Sequence, residues 1–479
     1  MKLYYPISIF LILLSISLQA QQTEFTLEQC IDYALQNSVS LKNAQLDEKI
    51  ADSKVKETRG IGLPQVNGNV SLRHNEKLAR FFATKATSFG FSGLPEDQYA
   101  TYLPELSDND VVAIPNFFQL KSSGDAGITI DQLIFNSSYL VGLRAANAYR
   151  ELSVKQTDQT REQVVQQVTK AYYSCLINKD RIALFDNNIA RVDSLLRNTN
   201  AMYQNGFAES IDVDRTQVTL NNLTIERNKF MNLQEISLQL LKFQMNYPMD
   251  QPLEVAGDIA SITVDEALLS EYAVEWDYTN RTDYKLLESN RALQTLDIKN
   301  KFSASVPTLS AFANFGYSTQ SPNIGGLFKT ESNISDDGRI GPDKWYPYTS
   351  FGLTLNIPIF SGLQRNYQIK QAKLTLEKIE NEFTTMKASI DLEIKQAAAN
   401  YLNAVESAKA QEQNRVLAEK VARITKIKYE EGVGSSMEVV QAESDLREAQ
   451  INYYNALYDA VVAQIDLKKA YGKLIAHEE

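Results

Sequence analysis

Two cysteines and two histidines are all that this 479-residue chain offers to soft or borderline metals. Neither His74 nor His477 has neighbouring ligands at metal spacing, so no metal site is expected, nor any other cofactor. Cys30 and Cys175 are far apart in sequence, and nothing in their setting indicates a disulfide. Cys175 shares a helical seam with Val168, Tyr172 and Ile182, which marks it as a small buried hydrophobe. Basic residues are outnumbered, 48 Lys and Arg against 59 Asp and Glu, for a net charge of −11. That balance argues against nucleic acid, which needs a basic face, and against a polybasic grip on membranes. No phosphate-cradling glycine loop or nucleophile elbow occurs, so no enzyme is expected. The acids and glycines of SDDGRIGPD (335–343) lack the ligand spacing of a calcium loop and read as an exposed turn.

Beyond the first 20 residues, no run of 18 apolar residues exists. The start, MKLYYPISIFLILLSISLQAQQ, has the layout of a secretory signal: Lys2, an apolar run from Ile7 to Leu18, and small Ala20 at a cleavage site. An exported chain without apolar helices meets a membrane, if at all, through strands.

Glycine and proline are missing from two long stretches, Leu143–Asn205 and Leu363–Glu431, which predicts two very long helices. Each stretch ends in the same break, YQNGFAESIDV at 203–213 and YEEGVGSSMEVV at 429–440. Apolar residues of the second stretch recur at coiled-coil steps: Ile379, Phe383, Met386, Ile390, Ile394, Ala397, Tyr401, Ala404 and Ala408. Strand patterns repeat as well. GITIDQLIFNSS (127–138) parallels GLTLNIPIFSGL (352–363), and Asn37 and Pro64 reappear as Asn280 and Pro307. The chain is therefore one unit written twice.

The expected division is a signal peptide at 1–20, a first repeat at 21–250 and a second at 251–479. In the first repeat, an entering helix from Thr26 to Arg59 precedes strands at about 63–75 and 126–136. A long helix at about 137–205 and a return helix at 209–247 follow. In the second, an entering helix spans roughly Thr282 to Phe302, with strands at about 306–318 and 349–360. The long helix is expected at about 362–431 and the return helix at 435–471. The strands alternate strictly. Phe351, Leu353, Leu355, Ile357 and Ile359 make one face, while Thr129, Asp131, Thr354 and Asn356 mark a polar one. Aromatics near strand ends (Trp345, Tyr346, Tyr348, Phe117, Phe118) suit either a membrane girdle or the packing of a soluble sheet. Rods of this length favour the membrane. Four strands cannot close a barrel, and twelve from three chains leave a lumen where eight from two do not.

In this order, and in the LPQV/VPTL strand starts, the FN/FSG strand ends and the two glycine turns, the chain resembles the TolC-like outer-membrane efflux proteins, or outer-membrane factors. The resemblance covers essentially the whole mature chain. It implies a mainly α fold with a small transmembrane β part: a homotrimer whose twelve-stranded outer-membrane barrel stands on a long periplasmic α-helical tunnel. It also implies partners, namely two further copies, outer-membrane lipid, a periplasmic adaptor (membrane fusion protein), and an inner-membrane pump of resistance-nodulation-division or ABC type. By the same resemblance Gly206, Phe207, Gly432, Val433 and Gly434 are adaptor-docking candidates, and Tyr429, Glu438, Gln441 and Asp212 belong to the periplasmic gate. The glycines are also simple turn formers, whereas Phe207 and Val433 are apolar with no other evident reason to be there. Relatives carry two acids where this chain has Glu438 and Gln441, and an arginine where it has Gly434, so one acidic ring and the arginine latch are missing. Two other readings stay open at this point: the exit channel of a type I protein secretion system, and a periplasmic coiled-coil scaffold that conducts nothing.

Overall fold

The computed structural model describes residues 24–84, 107–120 apart from 108, 115 and 117, 121–259, 276–328 and 345–475, with residues 268, 333–334 and 340–341. The leader read at 1–20, Phe117, His477 and most of 335–343 lie outside these residues. In chain order the elements begin with β1 (Glu24–Phe25), α1 (Leu27–Asn37), α2 (Val39–Gly60), β2 (Gln65–His74), β3 (Phe81–Thr84), β4 (Val111–Ile114) and β5 (Ser122–Phe135). The first long helix α3 (Ser137–Gln204) turns into α4 (Ser210–Met245), followed by β6 (Glu254–Val255). The second copy runs α5 (Thr282–Ser303), β7 (Thr308–Ser321), the short β8 (Asn333–Ile334) and β9 (Ile340–Gly341), and β10 (Tyr346–Asn356). It closes with the second long helix α6 (Gln364–Glu430) and α7 (Ser436–Ala470).

The 68 residues of α3 and the 67 of α6 each make a rod of about 100 Å. The chain divides into two compact units, one of Met1–Lys54, Ala145–Thr295 and Lys370–Glu479, the other of Val55–Arg144 and Leu296–Ile369.

The first unit is helical. Its largest core gathers Cys30 and Ala34 of α1, Val168, Tyr172 and Cys175 of α3, Leu241 and Met245 of α4, and Leu253, Val255 and Ile259 of the link between repeats. Burial pushes both thiols up to about 12, so neither is a nucleophile. The link is stitched to α3: the Tyr172 hydroxyl donates to the Ala256 carbonyl, Lys179 Nζ to that of Val255 at 2.9 Å, and the Ile259 N–H to Asp180 Oδ2 at 2.9 Å. Of the predicted α6 seam, Phe383, Ile390, Ala397, Tyr401 and Ala404 are buried and the other four half-buried. The entering helix does not run unbroken from Thr26 to Arg59. Ser38 leaves helical geometry (φ −53°, ψ 128°), and Asn246 of the return-helix cap donates to the freed Asn37 carbonyl.

The second unit holds an antiparallel sheet in the order β10-β7-β5-β2, flanked by the helix ends. Register separates its faces. Val66, Val70, Ile128, Phe315, Phe351 and Leu353 share one face, and Val70, Phe351 and Leu353 are 76%, 83% and 68% exposed. Asn69, Ser71, Asp125, Thr129, Asp131, Asn314, Ser350 and Thr354 share the other. Tyr348 belongs to this polar face, not to a lipid girdle. Its ring lies over Gly316 and Gly127, and its hydroxyl donates to Asp125 Oδ2 at 3.0 Å. Asn69 Nδ2 donates to the other oxygen of Asp125 at 3.1 Å. Trp345, on the apolar side, covers Gly124 and donates to the Leu327 carbonyl at 3.1 Å. Strand β10 stops at Asn356, short of the expected 360, because Pro358 supplies no ladder donor. Ile357 and Ile359 therefore lie past its end.

Candidate gate and docking site at the helix turns

Both long helices end in the same hydrogen-bonded turn. Gly206 (φ 77°) and Gly432 (φ 76°) adopt left-handed geometry, which glycine takes without a Cβ penalty. The Phe207 N–H reaches back to the Met202 carbonyl at 2.8 Å and Gly206 N–H to Tyr203 at 3.0 Å. Val433 bonds Lys428 and Gly432 bonds Tyr429 in the same way, both at 3.0 Å. These are Schellman motifs, in which the residue after the glycine commonly packs back on its own helix. Here it does not: Phe207 is 83% and Val433 77% exposed. Gly434 has a different reason to lack a side chain. A Cβ there would stand 3.2 Å from Tyr429 N and 3.3 Å from the Lys428 carbonyl carbon, both backbone atoms.

The return helices begin with unlike caps. Ser435 Oγ accepts from the Glu438 N–H at 3.3 Å, whereas Asp212 Oδ2 accepts from the Glu209 N–H at 3.4 Å. Asp212 also lies 3.9 Å from Arg215. Its described partners are thus local to α4. Tyr429, another candidate gate residue, turns to α3 instead: its hydroxyl is 3.3 Å from Thr199 Oγ1, and its ring packs with Leu195, Val439 and Met202.

A turn or two along, Arg191 Nε donates to Glu443 Oε2 at 3.2 Å, with the Glu443 side chain 9% exposed. Asn188 donates to Gln450 at 3.3 Å, and Arg181 donates to Asn455. This ladder ties α3 to α7. The exposed face of α7 carries Glu438, Gln441, Asp445 and Glu448 at steps of three and four, with Gln441 Nε2 donating to Asp445 Oδ1 at 2.7 Å. The neutral Gln441 therefore holds an acid one turn further along.

Sequence reasoning missed Thr199, Arg191, Glu443 and Asp445. Asp445 was within reach, seven residues from Glu438 on one helix face; the others are ordinary helix residues until the partner helix is known. No group of side chains fit to hold a metal occurs among the described residues.

The family model described as outer membrane efflux protein matches residues 30–246 and 283–473. The outer membrane protein TolC of Vibrio cholerae is 20% identical over 73% of this chain and 76% of its own length. Among solved structures, the CmeC outer membrane channel of Campylobacter jejuni superposes with a TM-score of 0.68 at 16% identity, covering 95% of this chain and 87% of its own. The outer membrane protein VceC of Vibrio cholerae gives 0.67 at 15% identity, covering 93% and 96%.

Proposed function

Since the chain belongs to the outer membrane efflux protein family, we propose that three copies close their sheets into one twelve-stranded barrel and their helices into a passive duct. Solutes pass through it from the periplasm to the outside. The observation that carries this reading is the two-faced sheet, open at both edges among the described strands. An exposed apolar face suits lipid, a polar face suits a wet lumen, and the outer edges of β2 and β10, which pair with no other described strand, need a neighbouring copy. Twelve strands leave room for a conduit.

Energy comes from outside the duct, from an inner-membrane pump coupled through a periplasmic adaptor. The adaptor docks on the turns at Gly206, Phe207, Gly432, Val433 and Gly434. Exposed apolar Phe207 and Val433, on backbone pinned by two hydrogen bonds each, support that role. The resting constriction lies on the same turns. In place of an arginine latch, the Tyr429–Thr199 contact and the Arg191–Glu443 pair hold the helix ends together. Asp212 caps its own helix and takes no part in holding the helix ends together. Glu438, with Asp445 behind Gln441, lines the entrance with negative charge and favours cations.

Two measurements test this. A photocrosslinker at Val433 in cells is expected to capture a hairpin-bearing adaptor, whose associated pump then identifies drug, metal or protein cargo. Capture of nothing but this chain would return the scaffold reading. In planar bilayers, Glu438→Gln is expected to lower cation preference and weaken block by divalent cations. An unchanged channel would remove Glu438 from the gate.

A further inference from the structure

Four short segments join the sheet to the helices in the second unit: residues 55–64, 136–144, 296–307 and 357–369. Together they hold six basic side chains (Lys56, Arg59, Arg144, Lys299, Lys301, Arg365) and two acidic ones (Glu57, Asp297). In a chain of net charge −11, this is a local reversal of sign. Lys301 pairs with Asp297 at 3.6 Å, and Lys56 and Glu57 are engaged within the chain. Arg59, Arg144, Lys299 and Arg365 form no ion pair with a described residue. The first three are exposed and Arg365 is half-buried.

Their placement is regular. Arg59 stands six residues before Gln65 of β2, Arg144 nine after Phe135 of β5, Lys299 nine before Thr308 of β7, and Arg365 nine after Asn356 of β10. Each strand thus has one unpaired cation beyond the same end of the sheet. Between strand and cation lie exposed apolar residues, Leu63, Leu140, Phe302 and Phe360 among them. Apolar strand face, then aromatic and aliphatic turn, then cation, is the order in which hydrocarbon gives way to headgroups and water.

We propose that Arg59, Arg144, Lys299 and Arg365 form a basic collar that holds the anionic phosphates of phospholipid headgroups in the periplasmic leaflet of the outer membrane. This rests on the sheet facing lipid. It goes beyond conduction, since it gives the duct a lipid preference and fixes its depth at one leaflet. Long, flexible cationic side chains suit this task, because their stems lie along apolar surface while their heads reach phosphate.

The test uses the full-length protein in nanodiscs of phosphatidylcholine with a minor share of phosphatidylglycerol, and counts retained lipids by native mass spectrometry. Wild type is expected to retain phosphatidylglycerol above its share. The fourfold variant Arg59→Gln, Arg144→Gln, Lys299→Gln, Arg365→Gln is expected to lose that excess, each charge being worth about fivefold in binding. A variant with lysine at the three arginine positions keeps the charge and should keep the lipid. Single Gln substitutions decide the matter if the fourfold variant does not assemble. No enrichment in wild type, or full enrichment in the Gln variants, would overturn the collar. A variant that keeps its lipid but changes ion selectivity would place these cations in the lumen instead. Conductance read on the same samples keeps a failed collar distinct from a failed channel, because the collar variants are expected to conduct normally.

Discussion

At Gly206 and Gly432 an added methyl group would meet no atom within 4 Å, so alanine there costs only the left-handed backbone, about 1 kcal/mol. Gly206→Ala and Gly432→Ala should therefore speed hydrogen exchange at the Phe207 and Val433 amides by roughly fivefold, while lowering the melting temperature of the whole protein by about 2 °C or less. Asp180 gives a prediction of a different kind. Burial, and after it the neighbouring Asp258 carboxyl, push its carboxyl up to about 7, opposed by the Ile259 N–H and by Lys179. Tyr454 of α7 faces the same pair, and Tyr453 lies near Asp258. From the ordinary carboxylate range up to about 7, the folded chain holds a proton that the unfolded chain has released. Stability from this site is accordingly present at low pH and lost as pH rises through that window. Asp180→Asn should raise the melting temperature by roughly a few degrees at about pH 8 and leave it nearly unchanged at about pH 4. Thermal unfolding at the two pH values checks it, and an equal shift at both would remove the carboxyl pair from the account. Neither Asp180 nor Thr199 is marked in the sequence, because what sets each apart is a neighbour from another element. The turn glycines were legible, since a lone Gly after an unbroken helical run has few other uses.

The long helices, their turns and the strands were written plainly in breaker-free stretches and in alternation. The break at Ser38 was not. Serine is tolerated within helices, and this one leaves helical geometry in a setting that includes the α4 cap, where Asn246 meets the Asn37 carbonyl. The chemistry of Tyr348 suits a girdle as well as a packed sheet, but counting by two from Thr354 puts it on the polar face. The ring now explains two glycines. A Cβ at Gly316 would lie 2.7 Å from the Tyr348 ring and 2.9 Å from the Ala126 carbonyl oxygen, and the latter cannot yield without moving β5. Gly316→Val is therefore expected to impair sheet formation, read as loss of the heat-resistant folded band on a semi-native gel. Tyr348→Phe keeps the ring and loses only the bond to Asp125, and should fold.

For the molecule as a whole, the assembly is the least legible level, because a single chain shows only where its surfaces are unfinished. The unfinished surfaces are specific: β2 and β10, the outer strands of the described sheet, come from opposite ends of the duplicated unit. Cysteines placed one at a time at Val66, Gly68 and Val70, each combined with Leu353→Cys, should yield disulfide-linked dimers and trimers on a non-reducing gel at one register. Cys30 and Cys175 are buried and leave the background clean. Monomers at every position would argue against a closed ring.

The β5–β7 seam inside the chain joins the last strand of one repeat to the first strand of the next, antiparallel. A β10–β2 seam between copies would join the same two kinds of strand. Around a closed ring the sheet would thus meet six nearly equivalent joints, three covalently spanned and three not. A half-length chain would have to gather six copies to build the same wall. Fusing two halves lowers that number to three and lets neighbouring positions diverge. Gly434, which has no counterpart glycine at Ala208, is one such divergence: it can appear at three of six turns instead of at all of them.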